Sequence, residues 1–289
     1  MKIKAFAKIN LTLEITGNIL DGGFHELKSV MHKTPLYDEL EIIPENSSRV
    51  SLSCNKELCA EKDNLAFRAA DAYLIAAKNS GKLPSDTGVK MHLSKYIPDG
   101  AGLGGGSSDA AAVLRALDSL FGSLDKNALF EIANSLGSDI AFCLSDLDCA
   151  YCTGRGEILT RLSPLPSCFM LIAKPSQSLS TKGIYTEYDR LYKPSAQREF
   201  STDKMIDALK SGILSDICGF ISNDFEELCQ KRLSEISSIK ETMLSYGALA
   251  SCMSGSGSAV YGLFDRLSFA KDCQKALDER GNFTFLGSC

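Results

Sequence analysis

Apolar and polar residues alternate along the first fifteen positions of the chain. Ile3, Ala5, Ala7, Ile9, Leu11, Leu13 and Ile15 fall on one face, and Lys2, Lys4, Lys8, Asn10, Thr12 and Glu14 on the other, with Phe6 out of step. Successive side chains of a strand point to opposite faces, so this spacing predicts a β-strand. It sets Lys8 and Asn10 side by side, two positions apart. Shorter alternating runs predict strands at 40–42 and 50–54, with a turn at 44–48 between them. Residues 64–77 carry helical apolar spacing, and Asp63 or Asn64 suits the N-cap. A strand at 89–93 leads through Pro98 into a run of glycines, and the Ala- and Leu-rich segment 109–120 after it reads as a helix. A further helix at 126–136 ends at Gly137, where a C′ glycine is common, and Ser138 caps a short helix from Asp139.

The second half opens on turns at 153–157 and 163–167, followed by a strand at 169–173. Residues 194–204 are polar and read as a loop, after which amphipathic helices alternate with strands. A second Gly/Ser loop at 254–258 precedes a strand at 259–264. The 289 residues make about two domains, with the boundary expected between 1–155 and 156–289.

Composition narrows the classes. A net charge of −5 lacks the basic surplus of a nucleic-acid binder. No apolar run approaches the ~18 residues of a membrane span, and Lys8, Asn10 and Glu14 interrupt any signal-peptide core. The eleven cysteines are odd in number and scattered through apolar stretches, with a lone Cys149-x-x-Cys152 pair. They read as small buried hydrophobes of a reduced, cytoplasmic protein. The 23 glycines are average in number but not in placement: twelve lie within 17–23, 100–106, 154–156 and 255–257.

The strand–glycine loop–helix of residues 89–120 is the strongest chemical signal. Five glycines in seven positions leave backbone N–H groups open to a ligand. The loop empties into a helix whose first amides are unpaired and whose dipole end is positive, a cradle for polyphosphate. Ser107 and Ser108 add hydroxyls there, for phosphate oxygens or a metal ion. The loop lacks the Gly-Lys-Ser/Thr ending of a P-loop and the third glycine of a dinucleotide fingerprint. On its own it says nucleotide phosphate and no more.

Pro98-Asp99-Gly100-Ala101-Gly102-Leu103-Gly104-Gly105-Gly106-Ser107-Ser108 closely resembles the phosphate motif of the GHMP kinases (galactose, homoserine, mevalonate and phosphomevalonate kinases). Ala7-Lys8-Ile9-Asn10-Leu11, Gly23-Phe24-His25-Glu26-Leu27 and Ser254-Gly255-Ser256-Gly257-Ser258 resemble three further motifs of one branch of that family. The resemblance implies an α+β, two-lobed GHMP kinase fold, with the phosphate loop in the N-terminal lobe and an α/β sandwich as the C-terminal lobe. It implies ATP and Mg²⁺, and phosphorylation of a hydroxyl on the methylerythritol part of a CDP-linked small molecule by a monomer or weak dimer that binds neither nucleic acid nor membrane. By the same resemblance Asp139 is the general base and Lys8 its cationic partner. Phe24 and Tyr185 stack on the cytosine, His25 hydrogen-bonds it, and Asn10 binds the methylerythritol hydroxyls. Pro98 and the segment from Gly100 to Ser108 hold ATP, with Asn64 and Lys95 on the nucleotide side and Ser107 the candidate for the metal. Two segments depart from the family pattern: residues 145–152 lack its usual glycine pair, and residues 18–22 its Lys-Arg pair.

Overall fold

The computed structural model describes residues 1–57, 59–192 and 199–289. Its strands are β1 (Lys2–Ile19), β2 (His25–Asn46), β3 (Val50–Cys54), β4 (Thr87–Ser94), β5 (Cys149–Thr153), β6 (Ile158–Arg161), β7 (Phe169–Lys174), β8 (Ser222–Asn223), β9 (Ala250–Met253), β10 (Val260–Phe264) and β11 (Phe283–Ser288). Its α-helices are α1 (Leu65–Asn79), α2 (Gly105–Phe121), α3 (Lys126–Leu136), α4 (Ser138–Leu144), α5 (Thr181–Leu191), α6 (Ser201–Ser211), α7 (Leu214–Cys218), α8 (Glu226–Arg232), α9 (Glu235–Ser245) and α10 (Leu267–Asp278). The mixture is the expected α+β class.

Two compact units interleave along the chain. The first comprises Met1–Ala7, Leu36–Ile97 and Gly104–Asp146; the second comprises Lys8–Pro35, Pro98–Leu103 and Leu147–Cys289. The boundary expected at 155/156 falls within the second unit.

In the first unit the later half of β2 pairs antiparallel with β4, Leu40 opposite Leu93 and Ile42 opposite Met91, and β3 runs parallel to β4. Helices α1 and α2 pack together, and both bury alanines, Ala66, Ala69, Ala70 and Ala77 on one and Ala110, Ala111, Ala112 and Ala116 on the other. Tyr73 of α1 and Leu114 of α2 are fully buried as well. The turn expected at 44–48 is shifted: β2 continues through Pro44, which sits opposite Val89, as far as Asn46.

In the second unit the early half of β2 pairs with β5, and β5 with β6. Strand β8 runs parallel to β1 at Thr12 and Leu13. A separate antiparallel sheet has the order β11-β7-β10-β9, and its core joins Leu171, Phe225, Ile236, Met243 and Phe264. Residues 145–152 pair normally despite their missing glycines, Lys33 N–H donating to Asp148 O at 2.8 Å and β5 forming. Both Cys149 and Cys152 are buried in β5. The loop expected at 194–204 lies partly outside the described residues, and from Ser201 onward the chain is helix α6.

The alternation in β1 predicts the strand, and packing decides what its polar face meets. Lys8, Asn10, Thr12 and Glu14 are buried, as are their apolar neighbours, so the strand is covered on both faces. Buried polar groups persist only when hydrogen-bonded. Here they are: Glu14 accepts N–H bonds from Ser201 and Thr202 at the start of α6, at 2.8 and 2.9 Å, and Thr202 donates its hydroxyl to Thr12 Oγ1 at 2.7 Å.

Candidate active site

The glycine loop owes its shape to residues that only glycine tolerates. Gly102 has φ +73, and a Cβ there would lie 2.1 Å from the carbonyl oxygen of Ser254. Gly104, at φ +68, is the left-handed N-cap of α2. The helix therefore begins at Gly105, four residues earlier than the Ala-rich pattern suggests, and Ser107 and Ser108 stand inside its first turns. The first intrahelical bond is Ser108 N–H to Gly104 O at 2.8 Å. Amides ahead of it have no carbonyl within the helix to bond. Gly106 is exposed, Ser107 is half-buried, and no acidic side chain stands in the first turn. Ser108 is buried, its hydroxyl donated to Phe6 O at 2.6 Å.

The second Gly/Ser loop buttresses the first. Ser254 donates its hydroxyl to Gly102 O at 3.0 Å, and Ala259 N–H bonds Ala101 O at 3.0 Å. Asn223 Nδ2 in turn holds the carbonyls of Met253 and Gly255, each at 2.8 Å. Strand β1 attaches to the same loop, with Lys8 N–H donating to Leu103 O at 2.9 Å. From that point a polar chain runs through the interior. Lys8 Nζ donates to Asn10 Oδ1 at 2.8 Å, Asn10 Nδ2 to Ser29 Oγ at 2.8 Å, and Ser29 to Thr12 O at 2.6 Å. This fixes the Asn10 amide with its oxygen toward the ammonium.

Asp139 stands in the first turn of α4, where the helix dipole favours a carboxylate. The N-cap there is Gly137, in extended backbone, rather than Ser138. Asn64 caps α1, its Oδ1 accepting Ala66 N–H at 2.9 Å. Lys95 is buried, its ammonium bound by Asp38 and by Asp109 at 2.7 Å. Burial alone would lower that ammonium's pKa, but the Asp109 and Asp38 carboxylates raise it above the ordinary value. Burial likewise pushes the Asp109 carboxyl up to about 7, against the pull of Lys95.

Of the three base-binding candidates, His25 and Tyr185 come together, ring centroids 5.6 Å apart and tilted by 32°. Tyr185 also packs on Phe225 of the core at 4.6 Å. His25 Nε2 lies 2.9 Å from Asp189 Oδ1, while its Nδ1 is buried without a partner. Phe24 is half exposed, with the Arg155 guanidinium over its ring at 5.0 Å. The turn before it closes without the family's Lys-Arg pair, through Gly23 N–H to Leu20 O at 3.0 Å and Leu20 N–H to Phe24 O at 2.7 Å.

Comparison with known proteins places this geometry. Residues 64–146 match the GHMP kinase N-terminal domain and residues 205–282 the GHMP kinase C-terminal domain. The chain belongs to the GHMP kinases. Among relatives, a 4-diphosphocytidyl-2-C-methyl-D-erythritol kinase from Caldicellulosiruptor saccharolyticus is 38% identical over 91% of this chain and 88% of its own length. One of the same name from Alkaliphilus metalliredigens is 36% identical over 96% and 92%. A crystal structure of 4-(cytidine 5'-diphospho)-2C-methyl-D-erythritol kinase superposes with a TM-score of 0.81 at 31% identity, covering 100% of this chain and 98% of that one. Phosphomevalonate kinase from Streptococcus pneumoniae, at 15% identity and TM-score 0.72, shares the fold.

Pattern reading of this GHMP kinase missed three residues around the candidate site. Asp38 had a signal: in the register Leu36, Asp38, Leu40, Ile42 it is a carboxylate on an apolar strand face, and it is fully buried. Asp189 and Arg155 had none, since each meets its partner from a distant part of the chain. As for a metal, no group of three or more His, Cys, Asp or Glu is placed to cage one among the described residues. Magnesium rarely needs such a cage, because substrate phosphates and water supply most of its ligands. The Ser107 hydroxyl beside the open amides of α2 suits an ion that arrives with a nucleotide.

Proposed function

We propose that this GHMP kinase transfers the γ-phosphoryl group of ATP to the 2-hydroxyl of 4-diphosphocytidyl-2-C-methyl-D-erythritol, a step in making isoprenoid precursors without mevalonate. The bond between Lys8 N–H and Leu103 O carries the reading, because it ties the strand bearing a buried ammonium to the phosphate loop. The acceptor follows from the relatives of that name, which match nearly the whole chain.

Each role follows from local chemistry. Amides of Gly104 to Ser107 and the positive end of α2 bind the phosphates, and the glycines let them approach the backbone. Asn64 and Lys95 serve the nucleotide side by holding the start of α1 and the stem of the loop. The acceptor hydroxyl oxygen attacks the γ-phosphorus as its proton passes to the Asp139 carboxylate, and the bond to the ADP oxygen breaks. Lys8 keeps that carboxylate ionised and offsets charge on the moving phosphoryl group. Asn10, oriented by Ser29 and Lys8, bonds the methylerythritol hydroxyls. Phe24 and Tyr185 offer π faces to the cytosine and His25 a hydrogen bond. Ser107 would hold Mg²⁺ arriving with the ATP phosphates, and the ion would supply charge neutralisation. The enzyme works in the cytoplasm as a monomer or weak dimer.

A coupled ADP-release assay tests the reading across CDP-methylerythritol, mevalonate and homoserine. Turnover of the first alone is expected, and preference for either of the others overturns the acceptor. Asp139→Asn is expected to fold and to lose more than tenfold in kcat; retention of a tenth of the rate, under ~1.4 kcal/mol of barrier, removes Asp139 as base.

A further inference from the structure

Asp38, Lys95 and Asp109 form a buried cluster that the transfer step does not use. Their side chains are 0%, 5% and 3% exposed. They come from three elements: Asp38 from β2, Lys95 from the residue after β4, and Asp109 from the second turn of α2. Lys95 Nζ donates to Asp38 Oδ2 and to Asp109 Oδ2. The other oxygen of Asp38 accepts the N–H groups of Tyr96 and Ile97 at 2.5 and 2.8 Å. Lys95 N–H is itself held by Asn55 Oδ1 at 2.8 Å. So Asp38 fixes the chain entering the glycine loop, and Lys95 ties that end to the helix leaving it.

The contact is close enough to constrain the sequence. A Cβ on Gly105 would lie 3.2 Å from Lys95 Nζ and 3.0 Å from a methyl carbon of Ile97. Glycine at this first helical position lets α2 start directly against the cluster. Between the two tied ends run residues 98–103, with Gly100 and Gly102 both left-handed. A glycine-rich segment has much conformational freedom to lose when it closes on a ligand, and holding its ends beforehand lowers that cost.

We infer that Asp38, Lys95 and Asp109 are positioning residues, a clamp that presets the spacing of the two loop ends and thereby the affinity for ATP. This rests on the reading of the loop as the ATP site. The chosen variant breaks the tie and leaves the other bonds in place. Lys95→Met with Asp38→Asn removes the cation and one carboxylate together, and the Asn oxygen still accepts from Tyr96 and Ile97. Asp109 then takes up a proton, because burial favours its neutral form and the opposing ammonium is gone, so no charge is stranded. Asp109→Asn is the conservative partner, keeping an oxygen for Lys95.

The experiment is calorimetric titration of Mg²⁺-ATP into each folded protein, with steady-state kinetics alongside. The double variant is expected to bind ATP at least tenfold more weakly and to raise KM for ATP by the same factor. Its KM for the acceptor stays within twofold, and Asp109→Asn stays within fivefold throughout. A clamp that served the fold alone would lower Tm and leave ATP affinity unchanged. ATP affinity within twofold of the unaltered protein therefore overturns the inference, as does an equal rise in both KM values. Failure of the unaltered protein to bind ATP overturns the loop reading and the clamp with it.

Discussion

Residues 100–106 and 254–258 are both rich in glycine, and they meet backbone to backbone at Gly102 and Ser254, yet their surroundings are opposite. In the first loop Gly106 is exposed and Ser107 half-buried, and the amides at the start of α2 have no helical partners. In the second, Ser254, Ser256 and Ser258 are all buried and each hydroxyl is bonded: to Gly102 O, to Thr181 Oγ1 and to Gln177 O. Glycine serves the first by leaving amides open to a ligand. It serves the second by letting one backbone press against another. Composition alone cannot tell a binding loop from a buttress; what decides is whether the polar groups are already satisfied.

Gly102 is where the two roles meet, so Gly102→Ala is the most damaging test. The added Cβ would sit 2.1 Å from Ser254 O at a left-handed φ of +73. Strain and overlap together cost about 2–6 kcal/mol. Loop displacement of the order of 1 Å costs about a hundredfold in kcat/KM. Urea denaturation and steady-state kinetics measure the two. A variant with unchanged stability and rate would mean that the loops are not packed as described.

Ser254→Ala separates support from chemistry. It removes the 3.0 Å bond to Gly102 O and leaves that carbonyl short of a donor. The expected loss is about 1–3 kcal/mol of stability, with a smaller rise in KM for ATP than Gly102→Ala causes. A loss of kcat without a loss of stability would move Ser254 from the buttress into the site.

Gly106→Ala probes the open side. Its Cβ would meet only a Leu65 methyl, at 3.5 Å, in ordinary helical backbone. Alanine stabilises a helix interior by about 0.5–1 kcal/mol relative to glycine, so Tm is expected to rise. KM for ATP is expected to rise as well if, as proposed, phosphate oxygens approach the amides at the start of α2. A higher Tm with unaltered KM would exclude Gly106 from the phosphate contact.

How far each loop was legible depended on the range of the forces involved. The first was visible in the sequence because glycine density and a following helix are local features. Even so, the α2 start was misplaced by four residues, since two glycines look like loop until Gly104 is seen capping them in left-handed backbone. Alternation placed β1, but it does not say what the polar face meets. Thr12 and Glu14 are in fact satisfied from residues about 190 positions away, at Ser201 and Thr202. Separations almost as long hide Asp189 behind His25 and Ser254 behind Gly102. Local periodicity reports which face is polar; only tertiary packing decides whether that face meets water or a partner.

The last expected effect is a slope with pH, and it sharpens the contrast from beneath the first loop. Burial raises the Asp109 carboxyl from an ordinary 3.8 to about 7, while Lys95 opposes the shift. The folded protein thus holds a proton that the unfolded chain releases near pH 4. Between these values the folded state binds more protons, so stability falls as pH rises and the contribution is lost once pH passes about 7. Asp109→Asn cannot titrate and should flatten that part of the curve. The difference between the two proteins is expected to be a few degrees of Tm, roughly 2–4 °C per kcal/mol for a chain of this size. Thermal melts at pH 5, 6, 7 and 8 measure it. Parallel curves would show that Asp109 is ionised throughout the range and that Lys95 outweighs burial at this site. A substitution at the second loop, such as Ser254→Ala, should lower Tm by the same amount at every pH, because its bond to Gly102 O involves no proton that titrates in this range.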